Sequence, residues 1–167
     1  MTDWVESMGG PLVVVPLSAV ADWGGGTLAG TTADDYDRAC AVYGYAGVIP
    51  MLGAEALVLG DEPATTCFWA DQRVFVRWLA ADSEEDLFAA ASQALADAAT
   101  PWEDGGTWTC DGPAVLMDSA IAGPDLGPGY PGGSTTVPLD PGTWTVQVAH
   151  LQVTETASVG LVRLLPR

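Results

Sequence analysis

The sequence contains no lysine, and its five basic residues are all arginine, against 22 acidic residues and a formal charge of −17 over 167 residues. Such a surface repels phosphate groups, which argues against a nucleic acid or an anionic membrane as the partner. It would attract a basic protein, and attraction of this kind raises association rates by roughly 10- to 1,000-fold. Solubility alone is the other explanation of the acidic composition.

The residues that most catalytic and metal sites need are also scarce. His150 is the only histidine, and a Ser-His-Asp or Cys-His site would have to be built on it without any G-x-S-x-G motif in the chain. Cys40, Cys67 and Cys110 include no C-x-x-C pair, which favours buried free thiols over disulfides or zinc ligands. The acidic run at 34–37 lacks the central glycine of a calcium loop. We therefore expect no catalytic residue, no metal and no cofactor, and a protein that is not an enzyme.

Long apolar runs are absent as well, and none approaches the roughly 18 residues of a membrane span. Asp3 and Glu6 stand where a secretory signal would carry basic residues. Apolar residues make up 49% of the chain and charged ones 16%, which is too apolar for intrinsic disorder. These features predict one soluble domain over residues 1–167 in the cytoplasm, with the oligomeric state left open.

Two short helices are predicted near the N-terminus. Ser18 is a candidate N-cap of the first, and Thr32 begins a Ser/Thr-x-x-acid capping box for the second. One face of the second helix would carry the side chains of Tyr36, Cys40 and Tyr43.

The clearest helix pattern covers residues 83–98. Ser83 is its candidate N-cap, acidic residues follow in the first turn, and apolar residues recur on one face from Leu87 onward. Thr100-Pro101 would end it. This helix is expected to pack across a sheet.

Most of the remaining chain has strand patterns. Four runs between residues 46 and 80 favour an antiparallel meander. Apolar positions of the strand that begins near 143 change parity at Leu151, which predicts a bulge at Ala149-His150. The run 159–165 is continuously apolar and is expected inside a sheet. The Gly/Pro-rich segment 120–141 is predicted to be a long loop, either functional or mobile.

Together these elements predict an α+β fold, with a mostly antiparallel sheet, one main amphipathic helix on a face and two short N-terminal helices. An all-β sandwich with peripheral helices is the nearest alternative. Among the seven tryptophans, Trp78 and Trp144 have inward parity and are expected in the core. One or two of the others could be exposed interface anchors. Those five are Trp4, Trp23, Trp69, Trp102 and Trp108.

Several separated segments, in the same order, resemble the immunity protein 21 family. They are Trp4–Pro11 with the strand after it, Asp34–Cys40, Gly60–Thr66, Asp111–Ser119, Gly142–Trp144 and Val159–Val162. The resemblance implies an immunity protein of a bacterial polymorphic toxin system, which protects its producer by binding and blocking a cognate toxin. It supplies no catalytic residues to carry over.

Two hypotheses follow. The first is a stoichiometric toxin inhibitor whose partner-binding residues lie in two acidic segments. They are Asp34, Asp35, Tyr36, Asp37, Asp61 and Glu62. The second is a small hydrolase-like or ligand-binding domain that uses His150 and nearby carboxylates, which would require a pocket that brings them within hydrogen-bond reach.

Overall fold

The computed structural model describes residues 2–27, 33–60, 63–128 and 132–167. Its strands form two five-stranded sheets in which every pairing is antiparallel. The strands are β1 (Leu12–Pro16), β2 (Gly47–Met51), β3 (Ala54–Leu59), β4 (Thr66–Trp69), β5 (Val74–Ala80), β6 (Glu103–Cys110), β7 (Ala114–Asp118), β8 (Ser134–Val137), β9 (Gly142–Gln152) and β10 (Ser158–Pro166). The helices are α1 (Asp35–Cys40) and α2 (Glu84–Ala96), with 3₁₀ turns at Leu17–Asp22, Ala70–Gln72 and Gly123–Asp125.

Sheet 1 has the strand order β2-β3-β1-β7-β8, and sheet 2 has the order β4-β5-β10-β9-β6. Alternate residues of the two sheets meet in a buried core between them, where Val14 of sheet 1 shares one apolar cluster with Trp144 and Val162 of sheet 2. The antiparallel sheets and the few helices fit the predicted α+β class. Of the two short N-terminal helices that were predicted, the second is α1, whereas the first is corrected to the 3₁₀ turn Leu17–Asp22. The expectation of one sheet is corrected to two stacked sheets, an arrangement shared with the sandwich alternative.

The outer face of sheet 2 is covered by α2, as predicted. Ser83 caps this helix, and its Oγ accepts a hydrogen bond from the backbone N–H of Asp86 at 3.1 Å. Leu87 and Ala91 pack against Val76 and Leu161 of the sheet. We call α2 the helical cover.

The outer face of sheet 1 is covered by shorter pieces, which we call the irregular cover: the turn Leu17–Asp22, residues 23–27, α1 and the turn Gly123–Asp125. Trp23 is fully buried beneath them, and its Nε1 donates to the carbonyl of Ser119 at 3.0 Å. A Cβ on Gly123 would lie 1.7 Å from the carbonyl oxygen of Val20, so only glycine fits at this close approach. The predicted cap Ser18 does not cap the first turn, and its Oγ donates to Asp111 instead.

Three strand predictions are corrected. The run 46–80 is not one meander, because β3 is already paired on both edges by β2 and β1, so the chain crosses to sheet 2 and builds β4 and β5 there. Segment 120–141 is not all loop, since it contains the turn Gly123–Asp125 and β8.

The predicted bulge at 149–150 is also wrong, because β9 pairs with β10 without interruption. Trp144 faces the core between the sheets, and Leu151 faces the helical cover. Apolar side chains on both faces of β9 are therefore packed, and the change of parity needs no bulge.

The central position of β10 in sheet 2 confirms that the run 159–165 lies inside a sheet. None of the helices in the described part of the chain has the length and apolar character that a membrane span requires.

Candidate protein-binding site

The acidic residues of the first predicted segment lie at the start of α1. Asp34 is the N-cap: its Oδ1 accepts from the backbone N–H of Asp37 at 2.8 Å, and the Asp37 carboxylate accepts from the Asp34 N–H at 3.4 Å. The capping box is therefore Asp34 to Asp37, two positions later than predicted. Thr32, the predicted cap, lies outside the described residues.

Asp34 and Asp35 also hold the adjoining segment of the irregular cover in place. The backbone N–H of Thr27 donates to Asp34 Oδ2 and that of Gly24 to Asp35 Oδ2, both at 2.7 Å. Hydrogen bonds from the backbone of Asp37 and then Thr27 hold the pKa of Asp34 below its usual value of 3.8. Asp35 also forms an ion pair of 2.7 Å with Arg38. These two carboxylates therefore have a local structural role. Asp37 shares in the capping box but is exposed.

A groove of about 860 Å³ lies beside the C-terminal end of α1, where β1 begins and β3 ends. Its lining consists of backbone-rich turns and three tyrosines. The lining residues are Gly9, Gly10, Pro11, Tyr36, Ala39, Cys40, Ala41, Val42, Tyr43, Gly44, Tyr45 and Gly60. None of these residues is basic, so the groove has no positive side chain of its own.

The walls of the groove are fixed by close contacts. A Cβ on Gly10 would lie 2.5 Å from Cε2 of Tyr36, so the glycine makes room for the tyrosine ring. On the other side, the Gly60 N–H donates to the Tyr45 carbonyl at 3.0 Å. The Gly60 carbonyl accepts from Nη1 of fully buried Arg77 at 2.8 Å. The groove is thus supported by the interior of the fold.

Tyr43 is fully exposed at this groove, with 100% of its surface accessible, and Met8, next to Gly9, is 67% exposed. The sequence predicted Tyr43 on a helical face with Tyr36 and Cys40. That placement is wrong, because α1 ends at Cys40 and Tyr43 lies in the following loop. Aromatic side chains exposed in this way are typical of protein-binding surfaces.

Several charged side chains lie close to the groove. Buried Asp118 accepts from the backbone N–H groups of Met8 at 2.8 Å and Ala120 at 2.9 Å, directly below the turn that forms one wall. The pKa of the Tyr36 hydroxyl is raised, first by its hydrogen bond with the Cys40 thiol and also by the charges of Asp118 and Asp37. Arg38, the basic residue of α1, is engaged by Asp35 and the carbonyl of Pro50.

Of the six residues predicted to bind a partner, Tyr36 lines the groove. Asp34, Asp35 and Asp37 lie at the start of α1 and are not among the lining residues. Asp61 and Glu62 lie outside the described residues. Gly60, the residue before them, lines the groove. Sequence analysis missed Tyr43 and the Gly9–Pro11 turn as parts of one surface, because their proximity depends on the pairing of β1 with β3.

His150 does not line this groove but contacts one of its residues. Its ring stacks on Tyr45 with 3.6 Å between ring centroids and an interplanar angle of 23°. Across the strands it faces Gly160, where a Cβ would lie 2.8 Å from His150 Nε2. The imidazole therefore packs into a space that a glycine provides, and this is the role that the geometry gives it.

The tryptophan and cysteine predictions are partly corrected. Trp144 is buried as predicted, but Trp23 and Trp108, two candidates for exposed anchors, are fully buried. Each donates its Nε1 proton to a carbonyl, which lets the indole enter the interior. Cys67 is buried as predicted, whereas Cys40 is exposed. Within the described residues, no three His, Cys, Asp or Glu side chains are grouped so that they could hold a metal ion.

The model of the family described as Immunity protein 21 matches residues 3–157. The chain belongs to the immunity protein 21 family. The match includes α1, every residue that lines the groove and the helical cover, and it ends just before β10. No curated protein and no solved structure is significantly similar to the chain. Membership in the immunity protein 21 family indicates an immunity protein of a toxin system, and a role as a non-enzymatic inhibitor that binds a toxin.

Proposed function

We propose that this protein neutralises a cognate polymorphic toxin by binding directly to it, one inhibitor to one toxin, in the cytoplasm of the producing cell. The family match supports the toxin as the partner. The observation that carries direct binding is the fully exposed Tyr43 beside a supported groove. Burial of an exposed aromatic ring against a partner lowers the free energy of the complex, and tyrosine is enriched among the residues that dominate binding energy.

We propose further that the toxin is basic. The net charge of −17 would accelerate its association. A standard interface of ~1,600 Å² would extend well beyond the groove, so exposed acidic residues such as Asp37 would surround the contact.

Co-expression with the product of the adjacent gene tests the proposal. We expect the two proteins to purify together and the immunity protein to restore the growth of cells that produce the toxin. Titration of purified toxin should reach full inhibition at an equimolar ratio. Full protection far below that ratio would indicate a catalytic antagonist and would contradict direct inhibition.

Salt dependence tests the basic partner separately. The association rate should fall steeply between low and physiological ionic strength while the dissociation rate changes little, because screening weakens long-range attraction first. An association rate independent of salt would remove charge from the proposal and leave direct binding intact.

A further inference from the structure

The groove beside α1 combines features that identify the kind of group it would accept. Tyr36, Tyr43 and Tyr45 contribute aromatic surface, and the remaining lining is mainly glycine backbone and small apolar side chains. Aromatic faces attract cations through their quadrupole, and a guanidinium or ammonium group within about 6 Å of a ring centroid is stabilised. Aromatic rings with no basic side chain among the lining residues form a surface suited to a cation.

Charge complementarity points in the same direction. Exposed Asp37 follows Tyr36 in α1, and buried Asp118 lies below the turn at Met8, so two acidic residues lie close to the lining of the groove. The nearest basic side chain in the same helix, Arg38, is already neutralised by its ion pair with Asp35. Behind the groove wall, the guanidinium of buried Arg77 is bound by the Gly60 carbonyl. The chain as a whole carries a net charge of −17, so an anionic occupant would be repelled as it approaches and a cationic one attracted.

The exposure of the rim favours a macromolecule over a small molecule. A small ligand is bound by enclosing most of its surface. Here Tyr43 is completely accessible and Met8 is 67% accessible, so apolar surface extends outward from the concavity. A loop of another protein can fill the groove with one side chain and cover the exposed rim with its neighbours.

Building on the proposed function, we propose that this groove is the recognition site for a lysine or arginine side chain on an exposed loop of the toxin, with Tyr43 as the aromatic anchor. The side chain enters between Tyr43 and Tyr36, and the flanking residues of the loop cover Tyr43 and Met8. In this proposal, the groove makes the specific contact, and the net charge of −17 contributes the long-range attraction.

Substitutions at Tyr43 test the site with little risk to folding, because the side chain is fully exposed. The dissociation constant for the purified toxin would be measured at physiological salt for Tyr43→Phe, Tyr43→Leu and Tyr43→Lys. Phe keeps the aromatic face and should bind within about twofold of the wild type, whereas Leu should weaken binding by roughly 10- to 30-fold. Lys should weaken it further, because it places a like charge where the toxin's cation binds.

Leu52 provides the matched control. It is 83% exposed in the turn between β2 and β3 and does not line the groove, and Leu52→Lys changes the net charge by the same amount as Tyr43→Lys. A much larger loss for Tyr43→Lys than for Leu52→Lys supports the proposal. Equal losses for the two lysine variants, or wild-type affinity for Tyr43→Leu, would overturn it while the toxin-inhibitor function stands. Failure of the wild-type protein to bind the toxin would overturn both.

Discussion

The two outer faces of the sandwich are covered in different ways. The helical cover on sheet 2 is one 13-residue helix with a capped start, and it packs along the sheet through Leu87, Ala91 and Ala94. The irregular cover on sheet 1 consists of a six-residue helix, two 3₁₀ turns and connecting loops around buried Trp23. The first is one continuous helix, whereas α1 of the second borders a groove with a fully exposed tyrosine.

The two covers satisfy their backbone polar groups by different means. A regular helix satisfies its own backbone groups and presents only side chains. An irregular segment must satisfy them through contacts such as Gly24 with Asp35 and Thr27 with Asp34, and it leaves concave surface between its pieces. Binding surfaces are frequently built from loops on a rigid scaffold, and in the proposed function sheet 1 has that part.

Thiol labelling should show the largest contrast between the two covers. Cys67 lies beneath the helical cover, where burial raises the pKa of its thiol from the usual 9.0 to about 12, whereas Cys40 is exposed at the end of α1. A rise of this size lowers the reactive thiolate fraction about a thousandfold near neutral pH. Iodoacetamide labelling followed by peptide mass spectrometry should modify Cys40 quickly and Cys67 only after unfolding. Similar native rates for both thiols would show that the helical cover opens readily.

Core truncations under the two covers should lower the free energy of unfolding by several kcal/mol. Trp23→Ala should cost about 3–5 kcal/mol, because it empties a fully buried site and removes the donor to the Ser119 carbonyl. Leu87→Ala should cost about 2–5 kcal/mol. Urea unfolding measures both, with exposed Leu52→Ala expected within about 0.5 kcal/mol of the wild type. A Trp23→Ala loss no larger than that of Leu52→Ala would mean that the irregular cover adds nothing to stability.

Removal of the cap of the helical cover should have a smaller effect. Ser83 accepts the backbone N–H of Asp86, so Ser83→Ala leaves that donor without its side-chain partner and should cost about 1 kcal/mol in urea unfolding. Ser92→Ala is the control within the same helix. Ser92 is exposed, and its Oγ donates to the Phe88 carbonyl four residues earlier, a contact that does not stabilise a helix, while alanine has the higher helix propensity. If both variants were equally stable, Ser83 would not be an effective cap.

The helical cover could be predicted because its signals are local. Ser83, the acidic first turn and the spacing from Leu87 to Ala91 lie within a few residues of one another. The strand patterns were also largely local, but their division into two sheets was not. β3 (Ala54–Leu59) and β4 (Thr66–Trp69) could pair in one sheet only if the second edge of β3 were free. That edge is paired with β1, which comes from a distant part of the chain, so β4 joins the other sheet.

The candidate site could be predicted only in part for the same reason. The local pattern identified the acidic start of α1 and Tyr36, but it extended the helix through Tyr43. The pattern could not indicate that Asp34 and Asp35 are used as hydrogen-bond acceptors for the preceding loop, since those donors come from residues 7 and 11 positions away. Likewise, burial of Trp23 and Trp108 depends on carbonyl partners that only the folded structure provides.

Acid sensitivity of the irregular cover should be the smallest of these effects, and it tests the structural role of Asp34. Backbone hydrogen bonds lower its pKa below 3.8 in the folded state, so the stabilisation is present above that value and is lost as the pH falls through the folded pKa. Asp34→Asn retains a good N-cap but cannot titrate, so urea midpoints measured from pH 7 down to about pH 3 should fall less steeply than for the wild type. Asp22→Asn removes the same charge from an exposed position and controls for the change in net charge. Identical pH profiles for Asp34→Asn and the wild type would show that the carboxylate does not hold α1 to residues 24–27, and would leave Asp34 available as a partner-binding group.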